Sequence, residues 1–328
     1  MRNTCLNMVH QLARRDPRAV FIGSDLSPDL LAEMKREMPD RFYMEGVAEA
    51  NIIGMAAGLA LEGYVPYVNT IATFITRRCY EQVAVDVCMP NLPVRLIGNG
   101  GGLVYAPLGP THLAIEDIAI MRALPNMSVV AVCDADEMVR VMEQSLDWPH
   151  PMYIRLAKGG DPVVSRPDLG FAIGKAITMR KARSETPVVF VATGIMTTNC
   201  LAAADELQRV GVDATVIHAH TIKPLDEATI LTHCQDSRLV VTAEEGTLIG
   251  GFGSAVTDLL VATGAPPRIL RFGLPDAFPA HYGTQNDHLE LNGLLPHQMA
   301  ARIMSVLEDE INGRRRTTRP QEALGDEH

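Results

Sequence analysis

Short apolar runs alternate along the chain with stretches in which apolar residues recur every three or four positions. The runs at 19–22, 41–44, 65–68, 94–97, 128–132 and 152–156 predict strands. Residues 4–14, 28–38, 73–88, 115–124 and 136–146 carry helical spacing between them. A further helix begins near Val47. Ile52, Ile53, Met55, Ala56, Leu59, Ala60 and Leu61 make it apolar on most of its surface, and Gly54, Ala57 and Gly58 leave room for another backbone to come close. The second half repeats the alternation, with strands at 187–192, 214–217, 239–243 and 268–271. Helices are expected there at 196–210, 226–234 and 297–308, and another opens at Gly250–Gly253 and runs to Ala262. Strand–helix alternation of this kind predicts parallel sheets covered by helices on both faces. The fold class is therefore α/β, with two doubly wound domains, each built on a mostly parallel sheet. The first spans 1–160, a Gly/Pro-rich linker spans 161–186 and the second domain spans 187–311. Residues 312–328 are charged and without apolar pattern, and are expected to be a disordered tail.

The chain has 328 residues, enough for two cores. Its net charge of −10 and the absence of a basic stripe argue against nucleic acid as a partner. No uncharged apolar run is long enough to cross a membrane, and the N-terminus lacks the apolar core of a signal peptide. Cysteines stand at 5, 79, 88, 133, 200 and 234, with no pair at zinc-finger spacing. That pattern predicts reduced thiols in a cytoplasmic protein and no structural metal site.

Two residues carry candidate chemistry. Glu49 falls in the first turn of the apolar helix, where the helix dipole favours a carboxylate and burial favours its protonated form. An ordinary first-turn acid would look the same. His112 follows a long Gly-rich loop, Gly98 to Thr111, and an imidazole can both donate and accept protons near neutrality. A helix-start histidine is the plain alternative.

Gly46-Val-Ala-Glu49, followed by a Gly/Ala helix ending in Leu-Glu-Gly63, resembles the pyrimidine-binding domain of thiamine-diphosphate enzymes of the transketolase type. The resemblance implies that Glu49 hydrogen-bonds N1′ of the cofactor's aminopyrimidine, so that the 4′-imino group can deprotonate the thiazolium carbon. Tyr67 to Phe74 resembles the segment whose aromatic residue packs on that ring, which implies cofactor contacts for Phe74 and, at companion positions, Ile71 and Arg77. Gly109-Pro-Thr-His112, with Glu116-Asp117 after it, is similar to the family motif that brings a histidine to the reacting carbon. Val240 to Glu245 leading into Gly250-Gly-Phe-Gly253 resembles the C-terminal domain shared by transketolase, 1-deoxyxylulose-5-phosphate synthase and the β subunits of 2-oxoacid dehydrogenases. That Gly-rich turn could hold an anion, but close packing at a subunit contact suits its small residues better. Neither it nor Gly98–Gly102 is a dinucleotide fingerprint.

The family's Gly-Asp-Gly…Asn segment for Mg2+ and diphosphate is missing. Gly160-Asp-Pro lacks the following helix and the Asn. The resemblance thus implies the C-terminal subunit of a split transketolase-like enzyme. A transketolase N-terminal subunit would supply the diphosphate and Mg2+ site, and the active site would lie between the chains. This chain would dimerise through its C-terminal half, giving α2β2. The substrate positions depart from the sugar-phosphate pattern. Leu108 stands where an acidic residue reads the donor hydroxyl, Gly100 where a histidine is expected and Asp29 where a serine binds phosphate. Lys158 and Arg2 are candidate phosphate contacts. The donor is left open between a ketose, a ketose phosphate and decarboxylated pyruvate. Alternatives are a β subunit of a 2-oxoacid dehydrogenase, a 1-deoxyxylulose-5-phosphate synthase-like enzyme, and a non-catalytic partner subunit.

Overall fold

The computed structural model describes residues 1–317 apart from 25, 27 and 158. The first half runs α1 (Arg2–Arg15), β1 (Ala19–Gly23), a 3-10 turn (Pro28–Leu31), α2 (Ala32–Glu37), β2 (Phe42–Met44), α3 (Glu49–Leu61) and β3 (Val65–Ile71). It continues through α4 (Ala72–Thr76), α5 (Tyr80–Gln82), a π-helix (Val83–Cys88), β4 (Arg95–Asn99), α6 (Asp117–Ala123), β5 (Ser128–Ala131), α7 (Ala135–Ser145) and β6 (Met152–Leu156). The second half runs β7 (Ile177–Arg180), β8 (Val188–Ala192), α8 (Met196–Arg209), β9 (Ala214–His218), β10 (Thr221–Lys223) and α9 (Glu227–Cys234). It ends with β11 (Leu239–Thr247), α10 (Phe252–Val261), β12 (Ile269–Leu274), α11 (Gln285–Leu291) and α12 (Pro296–Thr317).

The strands form a seven-stranded sheet, β10-β5-β6-β4-β3-β1-β2, and a five-stranded sheet, β12-β11-β8-β9-β7. β1 to β6 pair in parallel, as do β8, β9, β11 and β12. β10 and β7 run antiparallel at the edges of the two sheets. The continuous apolar strands are buried on both faces, β1, β4, β5, β6, β8 and β9 completely. All six cysteines are free and buried, and among the described residues no helix is long and apolar enough to cross a membrane.

Several elements differ from the sequence expectation. β7 lies inside the stretch expected as linker, and Asp134 pins the stretch before it. One Asp134 carboxylate oxygen accepts from the Val164 and Ser165 N–H groups at 2.8 and 2.6 Å, while the other caps α7 through the Asp136 and Glu137 N–H groups. β10 follows the second-domain strand β9 but joins the first sheet, pairing Thr221 with Val130 and Lys223 with Val129. α12 extends beyond residue 308 to Thr317, and the rest of the expected tail, 318–328, lies outside the described residues. The single helix expected over 73–88 is broken at Arg77–Cys79. Thr76 Oγ1 donates to Ala72 O at 2.7 Å and Cys79 Sγ to Phe74 O and Ile75 O at 3.4 and 3.1 Å, so side chains take up carbonyls of the last turn.

Candidate active site

The carboxyl ends of β1, β3 and β4 form one edge of the large sheet, where ligands of doubly wound folds bind. Ser24, Asn69, Thr70 and Asn99 are buried there. Asn99 Nδ2 donates to Asn69 Oδ1 at 2.5 Å and to Thr70 O at 3.1 Å, and Ser24 Oγ donates to Thr70 Oγ1 at 3.0 Å. Isolated polar residues at strand ends carry no motif, so these four have no signature in the sequence.

α3 begins at Glu49, whose carboxylate is only 3 % exposed. A buried carboxylate needs a donor, and Arg78 supplies one: its Nη1 lies 2.8 Å from Glu49 Oε2. The same guanidinium sits over the Phe74 ring, 4.1 Å from its centroid. Phe74 in turn meets His112 edge to face, with ring centroids 5.3 Å apart. His112 closes a 3-10 turn, Pro110–His112, and its Nδ1 lies 2.9 Å from Thr111 Oγ1. Glu49, Phe74 and His112 thus come together as a connected set, linked through Arg78.

The other site candidates distribute differently. Ile71 ends β3, half-buried, immediately before α4. Arg77 turns away, forming an ion pair with Glu116 and donating to Leu113 O, with the Phe278 ring 6.0 Å from its guanidinium. Arg78, not Arg77, is therefore the arginine at Glu49. Leu108 is half-exposed in the turn before Gly109. Gly100 has φ +67, and a Cβ on it would lie 2.2 Å from the Tyr105 ring, so no side chain fits at this position. Asp29 is exposed in the 3-10 turn after β1. Arg2 opens α1, half-buried, and its Nε has no hydrogen-bond partner among the described residues. Lys158 lies outside the described residues.

The second domain reaches the same region. Gly109 adopts φ +83 and ψ 179, and a Cβ there would come within 2.8 Å of the Tyr282 ring. Tyr282 and Phe278 are exposed; Tyr282 meets Gly109 in the loop that carries His112, and Phe278 lies 6.0 Å from the Arg77 guanidinium. No motif marks Phe278 or Tyr282; they are brought in by the loop between β12 and α11. Beneath the loop that carries Gly101 and Gly102, Arg155 donates to Asp117 Oδ2 at 2.8 Å and to Glu245 O at 2.6 Å, and Tyr153 Oη donates to Asp117 at 2.7 Å. Glu245 Oε1 accepts from the Leu103 N–H at 3.0 Å and from Gln285 Nε2 at 2.7 Å. Burial pushes the Glu245 carboxyl up to about 7, against the pull of the nearby Arg155. Glu244 occupies the start of α10, accepting from Phe252 N at 2.8 Å and Gly253 N at 2.7 Å. A Cβ on Gly251 would fall 2.2 Å from that carboxylate. The Gly-rich turn therefore lets this chain's own glutamate cap the helix, which leaves no room for an external anion.

A separate buried cluster lies between the two halves. Glu137 Oε2 accepts from Cys133 N at 2.8 Å and lies 2.8 Å from His218 Nε2, whose Nδ1 is 2.6 Å from Thr197 Oγ1. Burial raises the Glu137 carboxyl, but His218 and the Cys133 amide outweigh it and hold the group below the ordinary carboxylate range. Cys133 Sγ, a Glu137 oxygen and a His218 nitrogen lie within 4.8 Å of one another, a metal-compatible grouping that the scattered cysteines did not announce. Glu137 accepts from the Cys133 backbone amide and meets the His218 ring, while Cys133 Sγ donates to Asp134 Oδ2 at 3.5 Å, so that the group links β9 of the second half to the start of α7 in the first.

A buried carboxylate, an aromatic face and a histidine thus meet at the carboxyl edge of a doubly wound sheet, with a second α/β domain bearing on the same loop, an arrangement of two α/β domains that the following matches place in a family. Residues 1–160 match the model of the transketolase pyrimidine-binding domain, and residues 177–298 that of the transketolase C-terminal domain. The chain belongs to the transketolase family. It is 35 % identical to the 6-deoxy-6-sulfo-D-fructose transketolase subunit SqwH of Clostridium sp. (strain MSTE9), over 85 % of each chain. It is 37 % identical to the 1-deoxy-D-xylulose-5-phosphate synthase of Synechococcus sp. (strain JA-2-3B'a(2-13)) over 92 % of this chain, which spans 46 % of that longer protein. A solved split-gene transketolase, described as an inactive beta4 tetramer, superposes with a TM-score of 0.85 at 33 % identity, covering 94 % of this chain and 98 % of that one.

Proposed function

We propose that this chain is the pyrimidine-side subunit of a split thiamine-diphosphate-dependent enzyme that transfers a two-carbon unit to an aldehyde or ketone acceptor. The observation that carries the reading is the juxtaposition of buried Glu49, the Phe74 ring face and His112 at one sheet edge. These residues fit an aminopyrimidine: a planar cation, the Arg78 guanidinium, already lies against both the carboxylate and the ring face. Thiamine diphosphate, when bound, supplies a nucleophilic thiazolium carbon. Glu49 would hold a proton at the pyrimidine nitrogen, Phe74 would fix the ring plane by stacking, and His112 would move protons at the substrate oxygen. A partner chain, the transketolase N-terminal subunit, would hold the diphosphate and Mg2+, and the complete particle would be α2β2 in the cytoplasm.

The donor is a small ketose or 2-oxoacid. No acidic group stands at position 108 and none fits at 100, so the ketose hydroxyl is read differently from the sugar-phosphate pattern. The similarity to a 1-deoxy-D-xylulose-5-phosphate synthase supports a second reading, decarboxylating transfer from pyruvate. Titration of this chain, alone and mixed with a diphosphate-domain chain, with thiamine diphosphate and Mg2+ tests the assignment. Binding is expected only in the mixture, which is then screened with a ketose phosphate, a sulfonated ketose and pyruvate. Tight binding by this chain alone would remove the split-site reading, and no binding in either preparation would leave a non-catalytic subunit.

A further inference from the structure

Arg78 is the residue of the site that the motifs did not point to, and its placement is specific. Its guanidinium is planar and cationic. It packs on the Phe74 ring at 4.1 Å and hydrogen-bonds the Glu49 carboxylate at 2.8 Å. A protonated aminopyrimidine held by Glu49 and stacked on Phe74 would use the same ring face and the same carboxylate oxygens. The two groups cannot occupy that space together. Glu49 is 3 % exposed, whereas the Arg78 side chain is 45 % exposed. The carboxylate is fixed in the wall of the pocket, and the arginine reaches it from the surface on a flexible stem.

The local backbone explains how Arg78 arrives there. In an uninterrupted helix over 73–88, residues 74 and 78 would be stacked one turn apart on a single face. That neighbour relation is kept across the break at Arg77–Cys79: Arg78 lies over the Phe74 ring, while Arg77 goes to Glu116 and Leu113. The chain continues through a turn of π-helix, closed by Met89 N donating to Ala84 O at 3.0 Å, an irregularity that recurs at functional sites.

We propose that Arg78 is an internal occupant of the pyrimidine pocket and sets its affinity for the cofactor. This rests on the reading of Glu49 and Phe74 given above. In the free subunit Arg78 satisfies the buried carboxylate, which would otherwise stand unpaired. On loading, the pyrimidine displaces the guanidinium toward solvent, and the ion pair given up is subtracted from the affinity. The subunit alone therefore discriminates against the isolated pyrimidine half of thiamine, and stable loading requires the additional hold on the diphosphate that a partner provides.

The test uses the full chain and the free aminopyrimidine half of thiamine as probe, at pH 8, followed by ligand-observed NMR and calorimetric titration. Arg78→Ala and Arg78→Gln are compared with the wild type, and Glu49→Gln is added to each. The glutamine variant retains an amide that can satisfy Glu49, so it decides the question if the alanine variant does not fold; circular dichroism checks both. The expected result is binding at least about tenfold tighter in the Arg78 variants, with the gain lost when Glu49→Gln is added. Equal affinity with and without Arg78, still lowered by Glu49→Gln, would overturn the proposal and leave the pocket assignment standing. Weaker binding in the Arg78 variants would overturn it by making the arginine a ligand contact. Absence of binding in every protein would overturn the pocket assignment as well.

Discussion

Glu49 shows how little spacing alone says about a residue's surroundings. A first-turn acid is a routine helix start, and only the surrounding Gly-Val-Ala-Glu pattern singled it out. The structure adds what spacing could not: the carboxylate is buried and its partner is Arg78. Arg78 carries no motif of its own, since the resemblance implies a cofactor contact only for its neighbour Arg77, and the helix break beside it is accompanied by Thr76 and Cys79 side-chain hydrogen bonds that have no sequence signature. Glu49→Gln is isosteric, and assayed with the partner chain it is expected to lower turnover by at least about a hundredfold while circular dichroism and melting temperature stay unchanged. His112 is half-exposed, and its Nδ1 meets Thr111 Oγ1. His112→Ala is expected to slow kcat by about a hundredfold with little change in cofactor affinity; stopped-flow and binding titration separate the two.

At the scale of the element, the loop between β4 and α6 carries His112 and several of the close glycine contacts. The sequence marked it as Gly-rich, and the reasons differ along its length. Gly100 makes room for Tyr105, Gly101 for Arg155 and Gly102 for Glu245, so these three are packing requirements rather than a phosphate cradle. Gly109 lies in a backbone region that only glycine enters freely, directly under Tyr282. Gly109→Ala is expected to cost about 1–3 kcal/mol in chemical denaturation and to displace the turn that bears His112. The check is a drop in kcat larger than the stability loss alone accounts for at a temperature where the variant remains folded.

For the molecule as a whole, the alternation of strands and helices was readable because parallel strands buried on both faces are nearly unbroken apolar runs. β7, β10 and α11 were not, because short elements are decided by what they pack against. The network joining the domains was invisible for the same reason: Arg155, Asp117, Glu245, Glu137 and His218 are distant in sequence. Glu137→Ala leaves His218 without its partner at the domain boundary, and a loss of about 3 kcal/mol in urea unfolding is expected. Glu245 gives a pH signature. Its folded value of about 7 stands above the ordinary 4.5, so the folded state retains a proton that the unfolded state has released. Its contribution is full below about 4.5 and declines as pH rises through 7, amounting to about 3 kcal/mol across that window. Glu245→Gln should flatten this fall in melting temperature between those pH values, and an unchanged profile would place the titration elsewhere.

The antiparallel strand β10 has a consequence for how the polypeptide can be divided. Thr221–Lys223 closes the edge of β5, and Lys223 Nζ donates to Arg122 O at 3.0 Å from the far side of the chain. A fragment ending at residue 160, where the first domain model stops, would present the β5 backbone as a bare margin able to recruit other copies. Such a fragment is poorly suited to soluble expression. A protease nick between 160 and 176 should by contrast yield two pieces that migrate together on gel filtration, because what looks like a second domain has already lent the first its outermost strand.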